Sequence, residues 1–204
     1  MFAPLEATVR RISMRLMGPV ARSRISPNTL TVIGLLLNVL TAWVIGGGYL
    51  FVAGVLLLFA GIFDMADGAL ARVKDAASEF GDFLDATLDR LAEASVGLGL
   101  LWHALVRGDD VQAGLIYAVV LGSVLISYAR ARAEVLNLDC EVGWMARPER
   151  IVILAIGLIL ASATRETALT IILVVLCLST YYTVAQRIVH VYRVTKSPGH
   201  GLKS

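Results

Sequence analysis

The sequence predicts an all-α integral membrane protein, with six transmembrane helices preceded by an N-terminal amphipathic helix that lies in the interface. Three observations carry this. Of the 204 residues, 57% are hydrophobic, and the mean hydropathy is +0.76, well above the range of soluble domains. From Pro27 to Phe63 runs a stretch of 37 residues without an Asp, Glu, Lys or Arg, against the roughly 20 that one crossing needs. Further apolar stretches of spanning length follow, divided by short polar turns. No internal repeat and no composition break is seen, so residues 1–204 are expected to form a single membrane domain, with the helical bundle at 28–194. A net charge of +2 gives no ground for a nucleic-acid partner.

Taken in order, residues 4–22 place Leu5, Val9, Ile12 and Leu16 at helical spacing with Arg10, Arg11 and Arg15 between them. That pattern suits a helix in the membrane interface, its arginines near anionic head groups. No cleavable signal peptide is recognised ahead of it. Ser26-Pro27 is a helix-start signal, and Gly46-Gly47-Gly48 divides the long apolar run into spans at about 28–46 and 49–72. The third span is expected at 81–106 and the fourth at 111–133, separated by Arg107-Gly108-Asp109-Asp110. After a polar connection, Pro148 suits the first turn of a fifth span at 148–164. Thr164-Arg165-Glu166 makes the turn to the sixth, 167–194. Six crossings put both termini on one side. The terminal segments and the loops on that side carry almost all the Lys and Arg, whereas the other side shows only Arg107 and Arg165. By the positive-inside rule the termini are cytoplasmic, which places the chain in the cell (inner) membrane as a multi-pass protein.

The second and third spans meet at the most informative stretch. It reads Asp64-Met-Ala-Asp67-Gly68-Ala-Leu-Ala71-Arg72, eight residues, then Gly81-Asp-Phe-Leu-Asp85-Ala-Thr-Leu-Asp89. On helices, Asp64 and Asp67 share a face, as do Asp85 and Asp89. Gly68 and Gly81 leave room for a ligand or a backbone to come close. Four carboxylates at similar depth repel unless something neutralises them, and ionisable groups inside a span are functional by default. Pairing with Arg72 or Arg90 is the structural alternative, but two arginines do not balance four carboxylates. Two divalent cations do, and an all-oxygen donor set favours Mg²⁺ or Mn²⁺ over zinc.

Asp-x2-Asp-Gly-x2-Ala-Arg-x8-Gly-x3-Asp-x3-Asp resembles the signature of the CDP-alcohol phosphotransferase family, met here at Asp64, Asp67, Gly68, Ala71, Arg72, Gly81, Asp85 and Asp89. The resemblance implies an integral membrane enzyme that transfers a phosphatidyl group from CDP-diacylglycerol to an alcohol and releases CMP. It further implies metal ligands at Asp64, Asp67, Asp85 and Asp89, with Asp89 also the catalytic general base. Gly68, Ala71, Arg72, Ser78 and Gly81 would then face the CDP-lipid. Pro27-Asn28-Thr29-Leu30-Thr31 is similar to the other cytidine-side segment, although Asn28 and Thr31 serve equally well as caps of the first span. Three cationic features, around Arg130, Arg147 and Arg187, are similar in order and spacing to those of prokaryotic phosphatidylinositol phosphate synthases, which makes these arginines the expected acceptor-phosphate residues. Arg130 stands where such enzymes are expected to carry Lys, which keeps the charge and changes the donor geometry. Relatives form homodimers, and so a homodimer embedded in membrane lipid is implied, with its active site on the cytoplasmic side.

Other readings stay open at this point. The arginines also suit helix ends anchored at anionic lipid. The acceptor alternatives are glycerol phosphate, serine or another polyol phosphate, and a divalent-cation transporter is the reading of a different class. Such a transporter has no need of Arg72 beside its carboxylates. Cys140 and Cys177 lack metal-type spacing and read as small buried residues. His103, His190 and His200 read as structural or solvated, and Trp43, Trp102 and Trp144 as interface anchors.

Overall fold

The computed structural model describes residues 26–73 and 78–196, with positions 27 and 65–73 described as backbone only. The expected helix at 4–22 and the Ser197-Pro198-Gly199 tail lie outside the described residues. Those described are all helical, without strands, in six helices at the six expected places. They fall into two compact units that divide between His103 and Ala104.

The first unit holds α1 (Pro27–Gly46), α2 (Leu50–Val73) and most of α3 (Glu79–Val106). Helix α1 starts where Ser26 caps it: the Ser26 hydroxyl accepts from the Thr29 amide at 3.2 Å and lies 2.8 Å from the Thr29 hydroxyl. Pro27 fills the first helical position, where no amide is needed. The cap is therefore Ser26, and Asn28 and Thr31 are released from that alternative. The three glycines turn the chain back, with Gly48 at φ +82°, a conformation that suits a residue without a Cβ. Helices α1 and α2 then pack along a narrow stripe of Leu50, Ala53, Leu57 and Ala60, all buried. Helix α3 meets α1 at backbone contact: a Cβ on Gly99 would stand 2.3 Å from the Ala42 carbonyl oxygen. Small residues face inward here while Leu36, Trp43, Phe51, Val55 and Phe59 stay exposed. That inversion of the soluble pattern is expected when lipid is the solvent, because close packing, rather than removal of apolar area from water, holds the helices.

The second unit holds α4 (Asp110–Val135), α5 (Arg147–Thr164) and α6 (Thr167–Lys196), with α6 packed against both others. Asp109 caps α4 through the Gln112 amide at 2.9 Å. Asn137, at φ +56°, ends it in the left-handed turn that satisfies the last carbonyls. Gly122 lets α4 approach Thr180 of α6, and Gly157 lets α5 approach Ile172. Ser179, Thr180 and Thr183 are buried, and each returns its hydroxyl to a carbonyl one turn back. Arg165 and Glu166 both take positive φ in the α5–α6 turn. There the buried Glu166 carboxylate pairs with Arg107 of the α3–α4 turn.

Three helical stretches, Asn28–Gly46, Asp110–Val135 and Thr167–Lys196, are long and apolar enough to cross a membrane. The apolar part of α2, Leu50–Asp64, is shorter. Helix α3 carries Glu79, Asp82, Asp85, Asp89, Arg90 and Glu93 within its first 15 of 28 residues. Helix α5 has 18 residues and opens with Arg147, Glu149 and Arg150. The helices that fall short are thus those loaded with charge, together with the one whose described apolar length is limited.

Candidate functional site

Helix α2 continues unbroken through Val73, so Asp64, Asp67, Gly68, Ala71 and Arg72 all lie on helical backbone. Helix α3 starts at Glu79, so Gly81, Asp85 and Asp89 share one helix. The spacings i, i+3 and i, i+4 therefore place each Asp pair along one face. Counted from Val73, the last described residue of α2, and from Glu79, the first of α3, their positions along the helices are similar. Asp67 is six residues before Val73 and Asp85 six residues after Glu79, about 9 Å along each helix. Asp64 and Asp89 are nine and ten residues in, about 14–15 Å. Asp64, Asp85 and Asp89 are partly buried, and each makes a polar or electrostatic contact. The side chains of Asp67, Ala71 and Arg72 lie outside the described ones.

Among the described residues no three His, Cys, Asp or Glu side chains converge to hold an ion. Asp67, one of the four expected ligands, is not in that set. The donor chemistry itself fits hard cations, since the four expected ligands, two on α2 and two on α3, are all carboxylates. Arg90, the alternative counter-ion whose side chain is described, has its Nη1 buried with no hydrogen-bond partner among the described residues.

Three of the residues expected to face the CDP-lipid, Asn28, Ser78 and Gly81, come together at the helix starts. Ser78 caps α3: its hydroxyl accepts from the Gly81 amide at 3.0 Å, and its carbonyl from the Asp82 amide at 3.0 Å. A Cβ on Gly81 would stand 3.0 Å from the Ser78 Oγ and 3.5 Å from the Asn28 Oδ1. Asn28, Ser78 and Gly81 thus form one cluster where α1 and α3 begin. Thr29 is exposed and engaged with Ser26, while Thr31 is buried and makes a polar contact.

In the second unit the polar connection, residues 136–146, is laid down the side of α6. The Asp139 carbonyl meets the His190 Nε2 at 3.0 Å, and the Val142 carbonyl accepts from the Arg187 Nε at 3.0 Å. Gly143 seats against Thr183, Trp144 packs edge-on against Tyr182, and the Ser179 hydroxyl points at the Met145 sulfur. Leu138 and Cys140 are buried with Ala133. Arg187 also donates from Nη1 to the Ile126 carbonyl at 2.6 Å, which ties α4 to the same loop. Arg130 stands half exposed, with Nε 2.8 Å from Glu134 and Nη2 3.5 Å from Glu141. Arg130 and Arg187 therefore contact adjacent loop residues, Glu141 and Val142. Arg147 is the first residue of α5, and Glu149 accepts from the preceding Ala146 amide at 2.9 Å. Sequence reading left His190 and Trp144 without partners and did not anticipate the backbone bonds of Arg187. Only the Arg130–Glu134 pair, at i, i+4, had a readable signal.

A pocket of about 750 Å³ lies at the other end of α1 and α3, lined by Trp43, Tyr49, Ser95, Leu98 and Trp102 among others. Among the described residues that line it there is no expected site residue and no Asp, Glu, His, Lys or Arg.

Comparison with known proteins agrees with the motif. Residues 24–192 match the model of the family described as CDP-alcohol phosphatidyltransferase, a match that runs across both units. The chain is 35% identical over 197 residues to the phosphatidylinositol phosphate synthase of Mycobacteroides abscessus, covering 94% of this chain and 87% of that one. It is also 35% identical over 158 residues to the archaetidylinositol phosphate synthase of Pyrococcus horikoshii, covering 77% and 81%. A crystal structure of the Mycobacterium tuberculosis phosphatidylinositol phosphate synthase with CDP-DAG bound superposes with a TM-score of 0.81 at 31% identity, over 93% of this chain and 96% of that one. Another, of that enzyme in complex with manganese and citrate, gives 0.78 at 30%, over 94% and 90%.

Proposed function

From the premise that this chain belongs to the CDP-alcohol phosphatidyltransferase family, we propose that it transfers the phosphatidyl group of CDP-diacylglycerol to a hydroxyl of inositol phosphate, with release of CMP. The observation that carries the reading is the two Asp doublets, each along one helix face on α2 and α3, with Asn28, Ser78 and Gly81 clustered at the start of α3. The relatives supply the acceptor, since the bacterial ones of this similarity are phosphatidylinositol phosphate synthases.

Asp64, Asp67, Asp85 and Asp89 would hold two Mg²⁺ or Mn²⁺ ions. When bound, these neutralise the diphosphate and polarise the phosphoryl group under attack. Asp89 takes the proton from the attacking hydroxyl. A bond forms between that oxygen and the lipid-side phosphorus, the phosphorus–oxygen bond to CMP breaks, and CMP leaves with the charge. Arg72 holds the diphosphate, and Gly68 and Ala71 let it lie close to α2. Asn28, Thr29, Thr31, Ser78 and Gly81 face the nucleotide. Arg130, Arg147 and Arg187 hold the acceptor's phosphate; Arg147 suits this because it sits at a helix N-terminus, where backbone amides also draw anions.

The chain is a membrane protein. Its six helices make six crossings, with the termini and the Asp doublets cytoplasmic, and residues 1–204 act as one catalytic domain, paired with a second copy in a homodimer. The Lys and Arg asymmetry between the turns supports the orientation, and the homodimer rests on the resemblance to the family.

Purified chain with CDP-diacylglycerol and Mg²⁺ tests this. CMP release that requires inositol phosphate is the expected result. Release with glycerol phosphate or serine instead would replace the acceptor, and metal flux without CMP release would replace the enzyme by a transporter. The Pyrococcus relative favours a second donor, so CDP-archaeol belongs in the same assay.

A further inference from the structure

Two of the three guanidinium groups assigned to acceptor phosphate, those of Arg130 and Arg187, each face oxygen atoms of the chain itself. Arg187 meets the Val142 and Ile126 carbonyls. Arg130 meets two carboxylates, Glu134 through Nε and Glu141 through Nη2. These contacts differ in kind. Arg187 is partly buried and its bonds tie a loop to a helix. The Arg130 contacts lie in the open, with side-chain exposures of 50% for Arg130, 57% for Glu134 and 74% for Glu141. Exposed ion pairs are weak, whereas a doubly charged phosphate meets a guanidinium through two parallel, charge-assisted hydrogen bonds. An arriving phosphate therefore competes well with two exposed carboxylates that each engage only one of those donors.

We propose that Glu141 is a positioning residue for the acceptor: together with Glu134 it holds the Arg130 guanidinium until phosphate arrives, and its negative charge sets how tightly that phosphate is held. The proposal rests on the reading of Arg130 as an acceptor-phosphate residue. Glu141 is placed for this by its neighbours. Its amide donates to the Asp139 Oδ1 at 3.3 Å, and the following carbonyl is fixed by Arg187. The loop thus brings a carboxylate to Arg130 by construction, and discriminates against weakly charged acceptors that cannot displace it.

The test is titration of full-length chain in detergent with inorganic phosphate, comparing wild type with Glu141→Gln, Glu141→Asp and Glu134→Gln. Removing one exposed pair is expected to tighten phosphate binding about two- to fivefold in Glu141→Gln, with Glu141→Asp close to wild type. In turnover, the KM for inositol phosphate falls by the same factor while kcat and the KM for CDP-diacylglycerol stay put. Equal or weaker phosphate binding by Glu141→Gln overturns the proposal, as does no binding by either chain or a parallel change in both KM values. Glu134→Gln gives an independent second arm. A wild type that releases CMP only with an uncharged acceptor sinks the function reading, while the phosphate titration still decides this one.

Discussion

Gly99 is the position where the packing argument is sharpest. A Cβ there would lie 2.3, 2.7 and 2.8 Å from the Ala42 carbonyl oxygen, Cα and carbonyl carbon. All three are backbone atoms, so no side chain can swing aside and α1 itself must move. Ordinary contact begins near 3.4 Å, which sets the displacement at about 1 Å across a close-packed interface. Overpacking of this kind costs about 3 kcal/mol, the upper end of the usual range. At about 2–4 °C per kcal/mol, Gly99→Ala should lower the midpoint of thermal unfolding in detergent by about 6–12 °C. Gly34→Ala is the control, since a Cβ there meets nothing within 4 Å. It should be neutral or slightly stabilising, as helix propensity alone expects. CMP release by Gly99→Ala should fall as well, because α1 and α3 carry Asn28 and Gly81 to one cluster. A Gly99→Ala chain with the unfolding midpoint of the control would refute the backbone contact between α1 and α3.

Asp89→Asn should keep CDP-lipid binding and lose about 10²–10⁴ in turnover, read by single-turnover CMP release; normal turnover would remove Asp89 from the base role. Arg147→Ala should raise the KM for inositol phosphate more than that for CDP-diacylglycerol, and equal shifts in steady-state kinetics would argue against an acceptor site there. Arg187→Lys keeps the charge but cannot span the Ile126 and Val142 carbonyls from one planar group. Amide hydrogen exchange in residues 136–146 should therefore speed up, and unchanged exchange would contradict the clamp.

The helices were legible because each boundary has a local chemical cause: Ser26-Pro27, the glycine triplet, Gly108-Asp109 and Pro148 act within a turn of where they sit. The Asp doublets were legible for the same reason, since spacing along one helix is a local property. The crossing of α3 and α1 at Gly99 was not, because the residue it touches is 57 positions away. Nor was the course of residues 136–146. Their contacts are made with α6 by carbonyls, an imidazole and a thioether, and no periodicity announces such pairs. Asn28 is the intermediate case. Its two readings were even until Ser26 took the cap and left the Asn28 amide oxygen near Gly81 and Ser78.

The loop along α6 also behaves like a tape read against a ruler. Positions 139, 142, 143, 144 and 145 are matched in falling order to 190, 187, 183, 182 and 179. Each match uses a different chemistry, so a substitution at one weakens the loop's hold without shifting the order of the rest. One inserted residue would put every later match out of step, and would carry the error to Arg147, where α5 begins. Loops commonly tolerate changes in length better than the elements they join. Here the order is reversed, and homologous chains should vary in the letters of this segment while keeping its count.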